Sequence, residues 1–471
     1  MLEVIEIAAI AAVGVLLTYI LTAASHHRRL KEVGNKLPGP RESFLWGNAA
    51  DMQAQGGLVL FLDHLHERYG PIARFWEGMG SLSISINDPQ LLEQVNAIRL
   101  EKRVDGLDFL KGLLGARGIG YTSGAQAKAR RQLWHSVLSG QPFQQSMLPA
   151  FNTTVEATLK RWSKNGEIQG EGVVIEFNTA ARVLWLQLNQ RLRYSAFPSL
   201  PFSSAWREKR RLLTFIHTEE AESHKDWGTG DLLSLLIAAK GQDGTPAFSP
   251  AEVHDEVLTL LFGVYDNSKI LSHTLHQLAC HPGAQQTARE EVDAAWSGQP
   301  PRTIQALISL RYLHACLQET LRLSAGRGVI WRVMEQDVWV GKFLLPRNAT
   351  LVAPTASVHS NPDYWPEPSK FKPERFLETD PSTGGWRPVK HPGGHSLAFI
   401  PFGFGLRNCL GQKYALNTAT LILGYILQRF TVELPTKADR QLHFKEENLS
   451  LESTDGIHLR LTPRLSPVSQ A

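Results

Sequence analysis

The chain has 471 residues, of which 43% are hydrophobic and 20% charged, and its formal net charge is +4 at pH 7. This length and composition supply a large buried core, and three cysteines are too few for a disulfide-stapled scaffold. The mild charge, with no long basic run beyond the N-terminus, excludes nucleic acid as the expected partner.

Taken in chain order, the N-terminus stands apart. Ile7 to Ala24 carries no charge and sits at the lower length limit for a membrane-spanning helix, which Val4 and Ile5 extend. Glu3 and Glu6 precede it and HHRRLK follows at His26 to Lys31, so the positive-inside rule turns the body of the protein toward the cytosol. A cleaved signal peptide fits less well, because the leading residues are acidic and no A-x-A site precedes a disulfide-rich domain. The expected organisation is a membrane anchor over 1–25, a basic and proline-rich linker over 26–40 and one large domain over 41–471. The linker ends in LPGP, Leu37 to Pro40, where two prolines flank a glycine and stiffen the elbow.

Residues 56–69 read as an amphipathic helix, and GPIARFWEGMGSLSISIND after them alternates like a small hairpin. Long helical patterns cover Pro142 to Lys164, Ala251 to Leu278, Pro282 to Trp296 and Thr303 to Leu323. After Arg332 come short strands and a proline-rich loop, then a helical stretch from Thr418 to Phe430 and a strand-like tail from Thr431 to Thr462. The expected class is mainly α with small β-sheets at both ends. No phosphate-binding G-x-x-x-x-G-K-[ST], zinc-binding H-E-x-x-H, hydrolase G-x-S-x-G or dinucleotide G-x-G-x-x-G is present.

The chemistry concentrates around Cys409, in FIPFGFGLRNCLGQKYA. Gly403, Gly405 and Gly411 let the backbone fold tightly around one sulfur. Ala415 and Leu416 begin an apolar helix whose N-terminus favours a thiolate. Arg407 is placed to meet an acidic group of a ligand, and Phe402 to lie against the sulfur. With no histidine or cysteine partner nearby, Cys409 cannot build a zinc site; it suits a metal whose other ligands come from elsewhere, such as a porphyrin iron. Cys280 and Cys316 lie in helical stretches and read as inert core thiols.

Phe402, Gly405, Arg407, Cys409 and Gly411 together match F-x-x-G-x-R-x-C-x-G, and in this the chain resembles the cytochrome P450 family. ETLR at Glu319 to Arg322 resembles the family's E-x-x-R, and FKPERF at Phe371 to Phe376 its P-E-R-F element, whose Arg375 would complete a buried Glu–Arg–Arg cluster. Arg131 and Arg332 fall where the family binds haem propionates, although Ala127 replaces the usual tryptophan before Arg131. GVYDNS, Gly263 to Ser268, corresponds to the family's oxygen-side helix motif, with Val264 in place of glycine and Asn267 in place of threonine. Asp266 and Asn267 would manage water and protons there, with Ser268 as the alternative alcohol. Phe262, Gly263, Val329 and Ile330 are the expected pocket wall. The interval from Arg131 to Asn267 is shorter than in membrane-bound members, so NQRLRYSAFPSLPFSSAW, Asn189 to Trp206, would make an abbreviated lid.

The resemblance implies the cytochrome P450 fold, behind an N-terminal transmembrane helix in the endoplasmic reticulum, with haem b ligated by Cys409. It implies a monooxygenase of a hydrophobic small molecule, sterol, terpenoid or other lipid-like compound. Electrons would come from NADPH-cytochrome P450 reductase, with cytochrome b5 as a further partner. Two alternatives remain: a haem-thiolate isomerase or dehydratase acting on a peroxide without reductase, and a non-catalytic haem-binding protein.

Overall fold

A computed structural model describes residues 25, 28–43, 45–78, 81–98, 117–138, 141–165, 173–177, 236–240, 244–325, 328–447 and 450–464. The expected anchor at Ile7 to Ala24 and the expected short lid at Asn189 to Trp206 lie outside these residues. Among the described residues no helix is long and apolar enough to cross a membrane.

Helix α1 (Leu58–Tyr69) leads into the antiparallel pair β1 (Ile72–Glu77) and β2 (Ser81–Ile86). Helix α2 (Pro89–Asn96) follows, its N-cap Asp88 accepting from the Leu91 amide at 2.9 Å. Helices α3 (Gly124–Leu138) and α4 (Gln141–Asn165) precede the short strand β3 (Val173–Glu176). The 31-residue α5 (Pro250–Cys280) opens on a capping box: Ser249 and Glu252 each satisfy the other's backbone amide. A proline at its first turn costs nothing there, because that amide has no intrahelical partner. Helices α6 (Pro282–Trp296), α7 (Ile304–Ile308) and α8 (Arg311–Thr320) complete this helical block.

The single helix expected over Thr303 to Leu323 is therefore three pieces: α7, α8 and a π-helical turn at Leu321–Ala325. Ser309 and Leu310 interrupt it where Glu291 of α6 accepts the amides of Tyr312 and Leu313, at 2.9 and 3.0 Å. A side chain that caps from outside stops one helix and starts the next.

Strand β4 (Val329–Val333), hairpin β5 (Val338–Val340) and β6 (Phe343–Leu345), and β7 (Thr350–Pro354) come next. The main sheet runs β1-β2-β7-β4, with β2 and β7 parallel and the other pairs antiparallel. The wholly buried β7 thus brings the distant segments 72–86 and 329–333 into one sheet. Helix α9 (Thr355–Ser360), hairpin β8 (Leu377–Thr379) and β9 (Trp386–Pro388), and helix α10 (Gln412–Arg429) lead to β10 (Phe430–Glu433), hairpin β11 (Phe444–Glu447) and β12 (Ser450–Ser453), and β13 (His458–Pro463). A second sheet, β10-β13-β3, again pairs distant segments.

The largest apolar cluster gathers Val257, Leu271, Leu275, Leu313, Leu317, Leu421 and Ile422 from α5, α8 and α10. Helix α10 is buried along most of its length, and α5 packs directly against it. The loop that carries Cys409 enters the N-terminus of that core helix.

Candidate functional site

The loop from Phe399 to Gly411 is shaped by backbone bonds and two left-handed glycines. Gly403 and Gly405 have φ of +77° and +70°, a region costly for any residue with a Cβ. The space is also closed at Gly405, where an added Cβ would lie 2.4 Å from Oδ1 of Asn96. The Cys409 amide donates to the Phe402 carbonyl at 2.8 Å and closes the loop. Gly411 caps α10, and a Cβ there would sit 3.9 Å from Sγ of Cys409. Cys409 is exposed, whereas Cys280 and Cys316 are buried, and burial pushes both of those thiols up. The sulfur just ahead of a helix N-terminus is where the peptide dipoles favour negative charge.

Three arginines converge on this loop. Arg131 of α3 donates through Nη2 to both the carbonyl (2.9 Å) and Oδ1 (2.7 Å) of Asn408, the residue before the cysteine. Arg332 of β4 is buried, donates to the Phe404 carbonyl at 2.9 Å and lies over the Phe404 ring, 5.3 Å from its centre. Arg407 donates to the Thr122 carbonyl at 2.7 Å and the Ile119 carbonyl at 3.5 Å. Two of these guanidinium groups, from α3 and β4, bond the thiol loop from outside, and the loop's own Arg407 bonds outward to the segment before α3.

Behind the loop, Glu319 and Arg322 pair through two bonds, 2.7 and 2.8 Å, with both side chains fully buried. Arg375 reaches Oε1 of Glu319 at 3.2 Å, and the Lys372 amide donates to the same oxygen at 3.0 Å. Arg322 also donates to the carbonyl of His359 at 2.9 Å and stacks over Trp365, 5.2 Å from the ring centre. The cluster reaches the thiol loop through His359: its Nε2 accepts the Ile400 amide at 2.9 Å. A buried charge cluster is tolerable only when every oxygen and N–H is occupied, and these are densely bonded.

On α5, Gly263 is exposed and an added Cβ would meet nothing within 4 Å. Asn267, one turn further on, is half-buried on the same face. Ser268 is 1% exposed, and its carbonyl accepts the Ser272 hydroxyl at 2.8 Å. Asn267, rather than Ser268, lies on the face of α5 that Gly263 leaves open. Phe262 and Asp266 belong to the same helix, but their side chains lie outside the described residues.

Two residues of the expected pocket wall, Val329 and Ile330, belong to β4. Neighbours on a strand face opposite ways. Val329 packs with Trp331 against the Phe61, Leu62 and Phe75 cluster. Ile330 lies on the opposite face with Arg332, against the core that contains Phe404 and Ile400. Only Ile330 is on the thiol-loop side of β4.

Sequence reasoning passed over Asn408, which sits at an unspecified position of the cysteine motif, and His359, whose role exists only across the fold. It also passed over His254-Asp255-Glu256, three polar residues interrupting an apolar helical pattern. That interruption was a readable signal, since all three are buried.

The residues fit an iron porphyrin: an exposed soft donor at a helix N-terminus, open space beside Gly263 on the helix that packs on α10, and three cationic donors for acidic substituents. Among the described residues no group of three or more histidine, cysteine or acidic side chains forms a protein-only metal site.

Comparison with known proteins gives a concordant result. The Cytochrome P450 family profile matches residues 199–459. Mouse cytochrome P450 3A13 is 33% identical over 228 residues, 46% of this chain and 43% of that protein. Drosophila melanogaster cytochrome P450 4c3 is 32% identical over 235 residues, 49% of this chain and 41% of the relative. A lithocholate 6-beta-hydroxylase of Mesocricetus auratus is 30% identical over 234 residues, covering 50% and 44% respectively. The chain spans less than half the length of these curated relatives.

Proposed function

This chain belongs to the cytochrome P450 family, and from that membership we propose that it is a haem-dependent monooxygenase of a hydrophobic small molecule. The observation that carries the reading is the thiol loop: exposed Cys409 ahead of α10, in a loop that Arg131 and Arg332 bond and that carries Arg407. Haem b, when bound, supplies dioxygen activation and the transfer of one oxygen atom to a C–H bond.

The chain's own residues set the conditions for that chemistry. Cys409 is the iron ligand, kept anionic by the N-terminus of α10. Gly411 leaves the sulfur unobstructed. Arg131, Arg332 and Arg407 neutralise the propionates. Glu319, Arg322 and Arg375 hold the loop in place from behind, through His359 and Ile400. On the open face of α5, Gly263 makes room and Asn267 holds a water through its amide. Phe262 and Ile330 contribute apolar wall, in keeping with a sterol, terpenoid or other lipid-like substrate. Asp266 is the proton-bearing partner of that water.

Electrons would come from NADPH-cytochrome P450 reductase, with cytochrome b5 as a second donor, docking where Arg407 and Lys413 add positive charge near Cys409. The uncharged Ile7 to Ala24 stretch anchors the chain in the endoplasmic reticulum membrane with its body in the cytosol.

Asn267 on the open face favours one second reading, an isomerase or dehydratase that rearranges a peroxide without external electrons. One experiment separates the two. Membranes containing the full chain and a reductase are given an apolar metabolite extract under isotopically heavy dioxygen, with and without NADPH. A product carrying one heavy oxygen only with NADPH is expected; an unlabelled product formed without NADPH would replace the oxygenase reading with the isomerase one.

A further inference from the structure

Residues Arg117 to Thr122 lie between α5 and the thiol loop and are bonded to both. On the α5 side, the Arg117 amide donates to Oδ2 of Asp255 at 2.9 Å, and the Ile119 amide to Oε2 of Glu256 at 3.1 Å. On the other side, the carbonyls of Ile119 and Thr122 accept Arg407. Ile119 therefore carries a hydrogen-bond chain from a buried carboxylate on α5 to the arginine two positions before Cys409.

Glu256 is built to do this. It is fully buried, and its two oxygens accept the Ile119 amide, the Trp134 indole N–H at 3.0 Å and Arg130 at 3.1 Å. Burial pushes its carboxyl up, and those three donors oppose that push. Arg130 also pairs with Glu252, donates to the Arg117 carbonyl and lies 5.6 Å from the centre of the Phe248 ring. The approach of the backbone is close as well: a Cβ on Gly118 would stand 2.4 Å from Oγ1 of Thr259 and 2.8 Å from the Asp255 carbonyl. Only glycine lets this segment lie so near α5.

We propose that Glu256, with Gly118, is a positioning element for Arg407: it pins Arg117 to Thr122 on α5 so that the Ile119 and Thr122 carbonyls hold the Arg407 guanidinium in place beside the haem site. The proposal rests on the haem reading above. Glu256 touches no reacting atom; it acts through the segment.

Two substitutions test it by different routes. Glu256→Leu removes both accepting oxygens, so the Ile119 amide and the Trp134 indole N–H lose their acceptor. Gly118→Ala lifts the same segment off α5 while leaving Glu256, Arg130 and Trp134 in place. The first readout needs no haem: amide exchange at Ile119 should rise about tenfold in either variant. The second is the rate at which the haem-loaded full chain loses haem to excess apo-globin, expected to rise about tenfold or more, as for other residues that orient a ligating group. The effect should be non-additive with Arg407→Lys, because all three substitutions interrupt one chain of bonds. Haem loss within about twofold of wild type in both variants, or effects that multiply with Arg407→Lys, would overturn the proposal. A wild-type chain that retains no haem would instead defeat the functional reading, and the Ile119 exchange would still report on the clamp.

Discussion

Cys409 and Glu319 show how differently an exposed and a buried residue of one site respond to replacement. Cys409 is exposed and contributes little to the core. Cys409→Ser should leave the unfolding midpoint nearly unchanged while removing the thiolate signature from the absorption spectrum of the haem-loaded chain. A variant that keeps that signature would move the iron ligand elsewhere. Glu319 and Arg322 are the reverse case, fully buried and bonded to each other. Arg322→Ala removes the two-bond partner of a buried carboxylate, leaving it only Arg375 and the Lys372 amide, and should cost about 3–5 kcal/mol, read by denaturant unfolding. A loss under about 1 kcal/mol would mean that the cluster is solvated in solution.

Helix α10 is the element on which the site depends, because its N-terminus presents Cys409 and its body is core. Its crossing with α6 is set by one small residue. A Cβ on Gly424 would fall 2.3 Å from the ring of Trp296, which also packs edge-on against Tyr425 at 5.6 Å. Gly424 sits mid-helix, where alanine would otherwise raise helix propensity. Here overpacking wins: Gly424→Ala should destabilise by about 1–3 kcal/mol. A calorimetric midpoint at or above that of wild type would show that the two helices separate without penalty.

For the whole molecule, buried neutral histidines tie stability to pH. His66 joins the Gly70 carbonyl at 2.8 Å and the Ser85 hydroxyl at 2.7 Å, and burial lowers its pKa from 6.5 to about 4. His273 bonds the Ser324 hydroxyl at 2.9 Å, and burial, then His276 and Lys269, lower it to about 3. Below pH 6.5 the unfolded chain takes up protons that the folded chain refuses. Stability is therefore fully present above that pH and falls on acidification toward about pH 4. Each histidine should remove about 1.4 kcal/mol per pH unit in that window. Urea unfolding at pH 7 and pH 5 measures the drop, and His66→Gln should flatten part of it.

Local physics made the elements legible from the chain itself. Period placed α1, α5 and α6 within a few residues, alternation placed β1 and β2, and the glycines around Cys409 marked a tightly folded loop. The cysteine motif and the Glu319, Arg322 and Arg375 set were readable through their resemblance to the cytochrome P450 family. What needed the tertiary structure was everything decided across long sequence separations. The parallel β2–β7 pair, the break between α7 and α8 imposed by Glu291, and the opposite faces of Val329 and Ile330 are of this kind. So is the path from Glu256 through Ile119 to Arg407, since a hydrogen bond between distant residues leaves no period or spacing along the chain.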